Sequence, residues 1–122
     1  VVSWREYAQA IVDLDGSTTR TVAIFAAPFA GAICDAAYTQ EKDADGDKTV
    51  KLRNLTKGVD ITQELDVDAL GANGSSTFTI IRAAAEFEEL DVVGLVYTVN
   101  TAGTVNPEQI SISMDLERLD SE

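Results

Sequence analysis

Several stretches of the chain carry side chains that could do chemistry. Asp43-Ala44-Asp45-Gly46-Asp47 sets carboxylates at alternate positions around a glycine. Hard oxygen ligands so spaced can converge on one cation, as in a fragment of a calcium loop. The glycine six residues in and the distal bidentate Glu of an EF-hand are missing, and acidic glycine-containing turns also cap exposed hairpins. A polar turn is expected here, with Asp43, Asp45 and Asp47 as a weak Ca²⁺ candidate. Glu86, Glu88, Glu89 and Asp91 form a second acidic group. Paired carboxylates run glycoside hydrolysis only when they face one cleft in environments that separate their pKa values. Nothing in the sequence marks such a cleft, so a solvated charged face is expected.

Cys34 lies in an apolar run and reads as a small buried hydrophobe, because the chain has no His to activate a thiol. Lys48, Lys51, Arg53 and Lys57 form the one basic group, which should pair with the protein's own acids or a partner's acidic surface. Trp4 and Tyr7, near the start, could close the core or anchor a partner, since aromatic side chains bring large contact areas. Asn54-Leu55-Thr56 and Asn73-Gly74-Ser75 match the glycosylation sequon, a pattern frequent by chance. No catalytic residue, cofactor site or firm metal site emerges.

The bulk numbers narrow the function further. A chain of 122 residues corresponds to one domain and is long enough to bury a core without disulfides or metal. Nine Lys and Arg against 21 Asp and Glu leave a net charge of −12, which disfavours phosphate backbones and anionic lipid. Neither nucleic acid nor membrane is expected as a partner. No apolar run reaches the roughly 18 residues of a membrane span. One Cys excludes an internal disulfide, and the lack of His removes the commonest general base and transition-metal ligand.

The elements that must position these residues are short and alternating. Ile110, Ile112, Met114 and Leu116 alternate with Ser111, Ser113, Asp115 and Glu117, a strand with one face in a core. Val50 and Leu52, and Phe78 and Ile80, show the same period. Thr21–Ala27 and Ala32–Tyr38 flank a Pro28-Phe29-Ala30-Gly31 turn, and Leu55–Ile61 reads as a hairpin centred on Gly58. Val92–Val99 is too uniformly apolar for a one-sided strand and should be covered on both faces, by the core and by a neighbouring element or subunit. Ala83–Leu90 supports only a short helical turn. These features predict an all-β fold: a single antiparallel β-sandwich of seven or eight strands, jelly-roll or immunoglobulin-like. Residues 1–13 are read as an extended N-terminal arm and first strand, and 14–122 as the sandwich domain.

The order of pieces resembles a known family. Arg20–Tyr38, with its Pro28-Phe29-Ala30-Gly31 turn, is followed by a polar insertion and by Lys48-Thr-Val-Lys-Leu-Arg-Asn-Leu-Thr-Lys-Gly58. Leu90-Asp-Val-Val-Gly-Leu-Val-Tyr97, a glycine-containing loop, Pro107 and the alternating last strand come after. The chain is similar in this over residues 20–117 to tailed-phage capsid decoration, or auxiliary head, proteins. It departs at Asp91-Val92-Val93, where those proteins have Gly-Asp. The resemblance implies a non-enzymatic virion protein on the capsid exterior, bound to the major capsid protein at subunit junctions as a homo-oligomer, with a trimer favoured. Val2, Trp4 and Tyr7 on the arm, with Val92 and Val96, are the expected interface residues. A carbohydrate- or host-receptor-binding module of a fibre or adhesin is the alternative. Deleting Val1–Tyr7 is expected to abolish shell binding while the sandwich stays folded, which particle co-sedimentation and circular dichroism would check.

Overall fold

An alternating strand shields its apolar residues on one face only, so strands of this kind stack in two layers with those faces inward. The computed structural model describes residues 2–14, 19–105 and 107–120, with 2–14 and 119–120 described by their backbone alone. The described strands are β1 (Val2–Leu14), β2 (Arg20–Ala26), β3 (Gly31–Gln40), β4 (Asp47–Asn54), β5 (Val59–Asp60), β6 (Leu65–Asp66), β7 (Ser75–Thr77), β8 (Glu86–Phe87), β9 (Val92–Thr101) and β10 (Glu108–Asp120).

One sheet runs β1-β10-β3-β7 with β8 also on β3, and the other runs β2-β9-β4-β5 with β6 also on β4. β7 and β8 share one strand position and β5 and β6 another, so the two sheets have eight positions. The chain changes sheet at every connection except those within β4–β6 and β7–β8. All these pairings are antiparallel. This is a jelly roll. The immunoglobulin-like order fails because β1 and β2 lie in different sheets, whereas the first two strands of that fold are neighbours.

The last strand behaves as its alternation predicts, with Ile110, Ile112, Met114 and Leu116 buried. They share the core with Ile33, Ala36 and Tyr38 of β3, Val50 and Leu52 of β4, and Val93, Leu95 and Tyr97 of β9. Phe78 sets its ring edge-on to Tyr38 at 6.2 Å, and Phe29 and Phe87 stack tilted at 6.1 Å. The outward face of β9 is only half covered at Val92 and Val96. Gly94 between them is buried under Leu55, and a Cβ there would lie 2.6 Å from the Leu55 Cδ1. The chain's own β4–β5 turn thus covers the middle of this strand. That turn is the expected hairpin, with Gly58 at φ 72°.

Two local expectations change. Phe78 and Ile80 do not form a strand, because β7 ends at Thr77. Beyond it Gln63 N–H donates to Thr79 O (3.0 Å) and Ile81 N–H to Ile61 O (2.7 Å), so the segment crosses toward the other sheet and closes the side of the sandwich. Cys34 is half-buried rather than buried. The β3–β10 register shifts beside it, Asp35 opposing Asp115 and Ile33 opposing Leu116, which leaves Cys34 as the extra residue of a bulge.

β1 pairs with β10 from Val2↔Asp120 to Leu14↔Glu108. Removing Val1–Tyr7 would therefore also remove backbone pairing, and point substitutions test its side chains more cleanly.

Tyr38 and Tyr97 both lie in the core, and burial raises both hydroxyl pKa values, that of Tyr38 further through the Tyr97 charge. Tyr38 donates to Gln40 Oε1 at 3.1 Å, whereas the Tyr97 hydroxyl has no protein partner among the described residues. Tyr38→Phe is expected to cost about 1 kcal/mol, and Tyr97→Phe to be neutral or stabilising, in urea unfolding at pH 7.

Candidate functional site

At one end of the sandwich three turns converge on a buried carboxylate. Asp91 is 4% exposed and lies just before β9. Its Oδ2 accepts from the Glu88 N–H at 2.9 Å and the Asn54 side-chain amide at 3.0 Å, with the Lys57 ammonium 3.8 Å away. Its main chain continues the lattice: Ala27 N–H donates to Asp91 O (2.8 Å), and Leu90 N–H donates to Ala27 O (2.7 Å). Leu55 N–H to Val92 O (2.7 Å) and Val92 N–H to Thr56 Oγ1 (2.9 Å) complete it. The donated Glu88 N–H first, and the Asn54 amide next, hold the Asp91 carboxyl below the usual carboxylate range. Asp91 is therefore not part of a solvated face, although Glu86, Glu88 and Glu89 are exposed. A carboxylate so fully engaged is a structural tie, not a free acid or base.

The other end is organised by a buried cation. Lys48 is fully buried, and its Nζ donates to Val105 O at 2.8 Å and lies 3.7 Å from Asp45 Oδ1. Asp45 in turn accepts from the Val105 N–H (2.8 Å) and the Thr104 hydroxyl (2.9 Å). Those donors, the Val105 N–H foremost, draw the Asp45 carboxyl down to about 2. This Asp is thus occupied in pinning the loop after β9. Asp47 lies with Asp66 and Asp68, their carboxylate oxygens within 4.8 Å of one another, and Asp68 Oδ1 also accepts the Lys48 N–H at 3.0 Å. The sequence spacing that suggested Asp43, Asp45 and Asp47 gives no sign of Asp66 and Asp68, which arrive through the pairing of β6 with β4.

The basic group is consumed internally. Lys51 and Arg53 both reach Asp60, at 3.1 and 2.6 Å, and Lys42 reaches Glu108 at 2.8 Å. With Lys48 on Asp45 and Lys57 near Asp91, every base from 42 to 57 has an acid partner, Lys51 and Arg53 sharing one. Val92 and Val96 stand on the outer face of β9, half-buried, with Lys51 opposite Val96 in register. Val2, Trp4 and Tyr7 pair in register with Asp120, Arg118 and Asp115, but their side chains lie outside the described residues. Two shallow recesses, about 250 and 290 Å³, lie over Gln40 and Ile110 and beside Cys34.

No family model and no curated protein matches the chain. Solved structures do. A chain of the cyanophage Pam1 capsid asymmetric unit superposes with a TM-score of 0.64 at 10% identity, over 96% of this chain and 85% of that one. A chain of the Ralstonia phage GP4 capsid gives 0.62 at 12% identity, over 96% and 86%. A chain of Bacillus endospore appendages, described as disulfide-linked pili, gives 0.50 at 14% identity, over 99% and 93%. At such identities the likeness is one of fold.

Because the folded pKa of Asp91 is depressed, its contribution is full above the unfolded-chain value of about 3.9 and is lost as pH falls through the folded value. Asp91→Asn is expected to destabilise by about 2–3 kcal/mol at pH 7 and to flatten the loss of stability below pH 4. Denaturant titrations between pH 2 and 7 would show a wild-type slope at the acid end that the variant lacks.

Proposed function

We propose that the chain is a non-enzymatic structural protein of a virus particle, seated on the capsid exterior and bound to the major capsid protein at subunit junctions. The supporting observation is the jelly-roll order, matched to chains of two phage capsids over nearly its whole length. The engaged state of Asp91, the least exposed acid among the described residues, supports a surface role rather than a catalytic one. So does the self-pairing of the basic group, which leaves the outer surface acidic and resistant to capture of packaged nucleic acid. Clamps across subunit junctions stabilise a shell by adding buried contact area. A trimer, as the family resemblance implies, would place such clamps at three-fold junctions.

The rival reading, a sugar- or receptor-binding module, calls for exposed aromatic rings to stack on a ligand. Phe29, Tyr38, Phe78, Phe87 and Tyr97 are buried, and Phe25 is half-buried, so the described aromatics do not favour it.

Particles purified from the native source are expected to contain this chain in a fixed ratio to the major capsid protein, by quantitative mass spectrometry. Its absence from particles, or its recovery in a surface appendage instead, would overturn the proposal. Trp4→Ala and Tyr7→Ala, which leave the β1 backbone intact, are expected to lower occupancy on stripped shells by about 10-fold or more if the arm carries contacts. Unchanged occupancy would remove the arm from the interface.

A further inference from the structure

Leu90 departs from the rule that governs the rest of the described surface. It is 72% exposed, while the other exposed large hydrophobics among the described residues, Val59 and Val105, reach only 37%. Its backbone is also left-handed, with φ 71°. Asn73 and Glu108 share a positive φ, but Asn tolerates it and Glu108 carries the ion pair with Lys42. For a bulky apolar residue the conformation is costly, and it persists only where the surroundings impose it. Here they do. The Leu90 N–H is fixed to Ala27 O, and the next residue is Asp91, whose carboxylate holds the Glu88 N–H across the same turn. The fold therefore holds a strained turn rigid and presents an apolar side chain at its tip. Strain relief would favour glycine at this position, and solubility would favour a polar residue.

The surroundings specify what would cover it. Glu88 and Glu89 precede Leu90, are exposed, and form no ion pair among the described residues. Pro28 and Ala30 are exposed on the turn to which the Leu90 N–H is bonded. A second copy is a poor occupant, because it would bring Glu88 and Glu89 against their own kind in a chain of charge −12. We propose that Leu90 is an apolar anchor that docks into a Lys- or Arg-rimmed apolar socket on a different protein. Under the functional reading above, on which this rests, that protein is the capsid shell. A rigid turn loses little freedom on docking, which is what an anchor of one side chain requires.

The test uses the full chain and native shells stripped of it, with binding read by co-sedimentation and stability by thermal unfolding. Leu90→Gly is expected to raise Tm by roughly 2–5 °C through relief of the positive φ, yet to weaken shell binding by about 30-fold or more. Leu90→Asn, which also accepts positive φ, should weaken binding equally, while Leu90→Met should bind within about threefold of wild type. Glu88→Lys with Glu89→Lys should weaken binding and reduce its salt dependence. Wild-type binding retained in Leu90→Gly and Leu90→Asn would overturn the anchor and leave the virion reading standing. Failure of the wild type to bind any shell would overturn both. A Leu90-dependent homodimer in sedimentation equilibrium would overturn the choice of a different protein as occupant.

Discussion

The sandwich closes at one end around the Asp91 carboxylate, and the geometry of three turns follows from its hydrogen-bond needs. A buried carboxylate is tolerable only if its oxygens are met by donors, and these come from the Glu88 main chain and the Asn54 amide. Satisfying it brings the β8–β9 turn against the end of β4, while the neighbouring main-chain bonds to Ala27 join the β2–β3 turn. Lys48 performs the matching task at the far end, gathering Val105 and Asp45. Removing one partner of such a group costs more than the pair contributes, so these two residues specify the loop arrangement more than they add to stability.

The local parts of this architecture were legible in the residues themselves. The alternation of Ile110 to Leu116 gave both a strand and its buried face, and the Pro28-to-Gly31 turn separates β2 from β3 where the sequence places it. Gly58 marked a hairpin that is present. What could not be read is whatever depends on a distant partner. Asp91 looks like its neighbours Glu86, Glu88 and Glu89, and among its distinguishing partners Asn54 lies 37 residues earlier. Phe78 and Ile80 alternate as a strand does, but the chain there bonds to Ile61 and Gln63 in the connection between β5 and β6. The bulge at Cys34 is a matter of register with β10, which no local pattern records. Choosing between jelly-roll and immunoglobulin-like order likewise needed the neighbour of every strand.

Charge is allocated with the same economy. The bases between Lys42 and Lys57 are spent on the chain's own acids, which leaves the surplus negative charge on the surface. Such a molecule has no complementary basic patch in this region with which to recruit its own copies. A surface of this sign attracts surfaces of opposite sign, and that attraction weakens with salt.

The divided strand positions on the far side of both sheets have a separate consequence. β5 and β6 hold two residues each, β7 three and β8 two, so neither margin offers a long straight ladder of open amides. Ribbon-like fusion between molecules starts from such ladders. Even when packed shoulder to shoulder at high local density, neighbouring copies would find no template for continuous growth along these margins, which leaves β1 and β2 as the edges with longer open ladders.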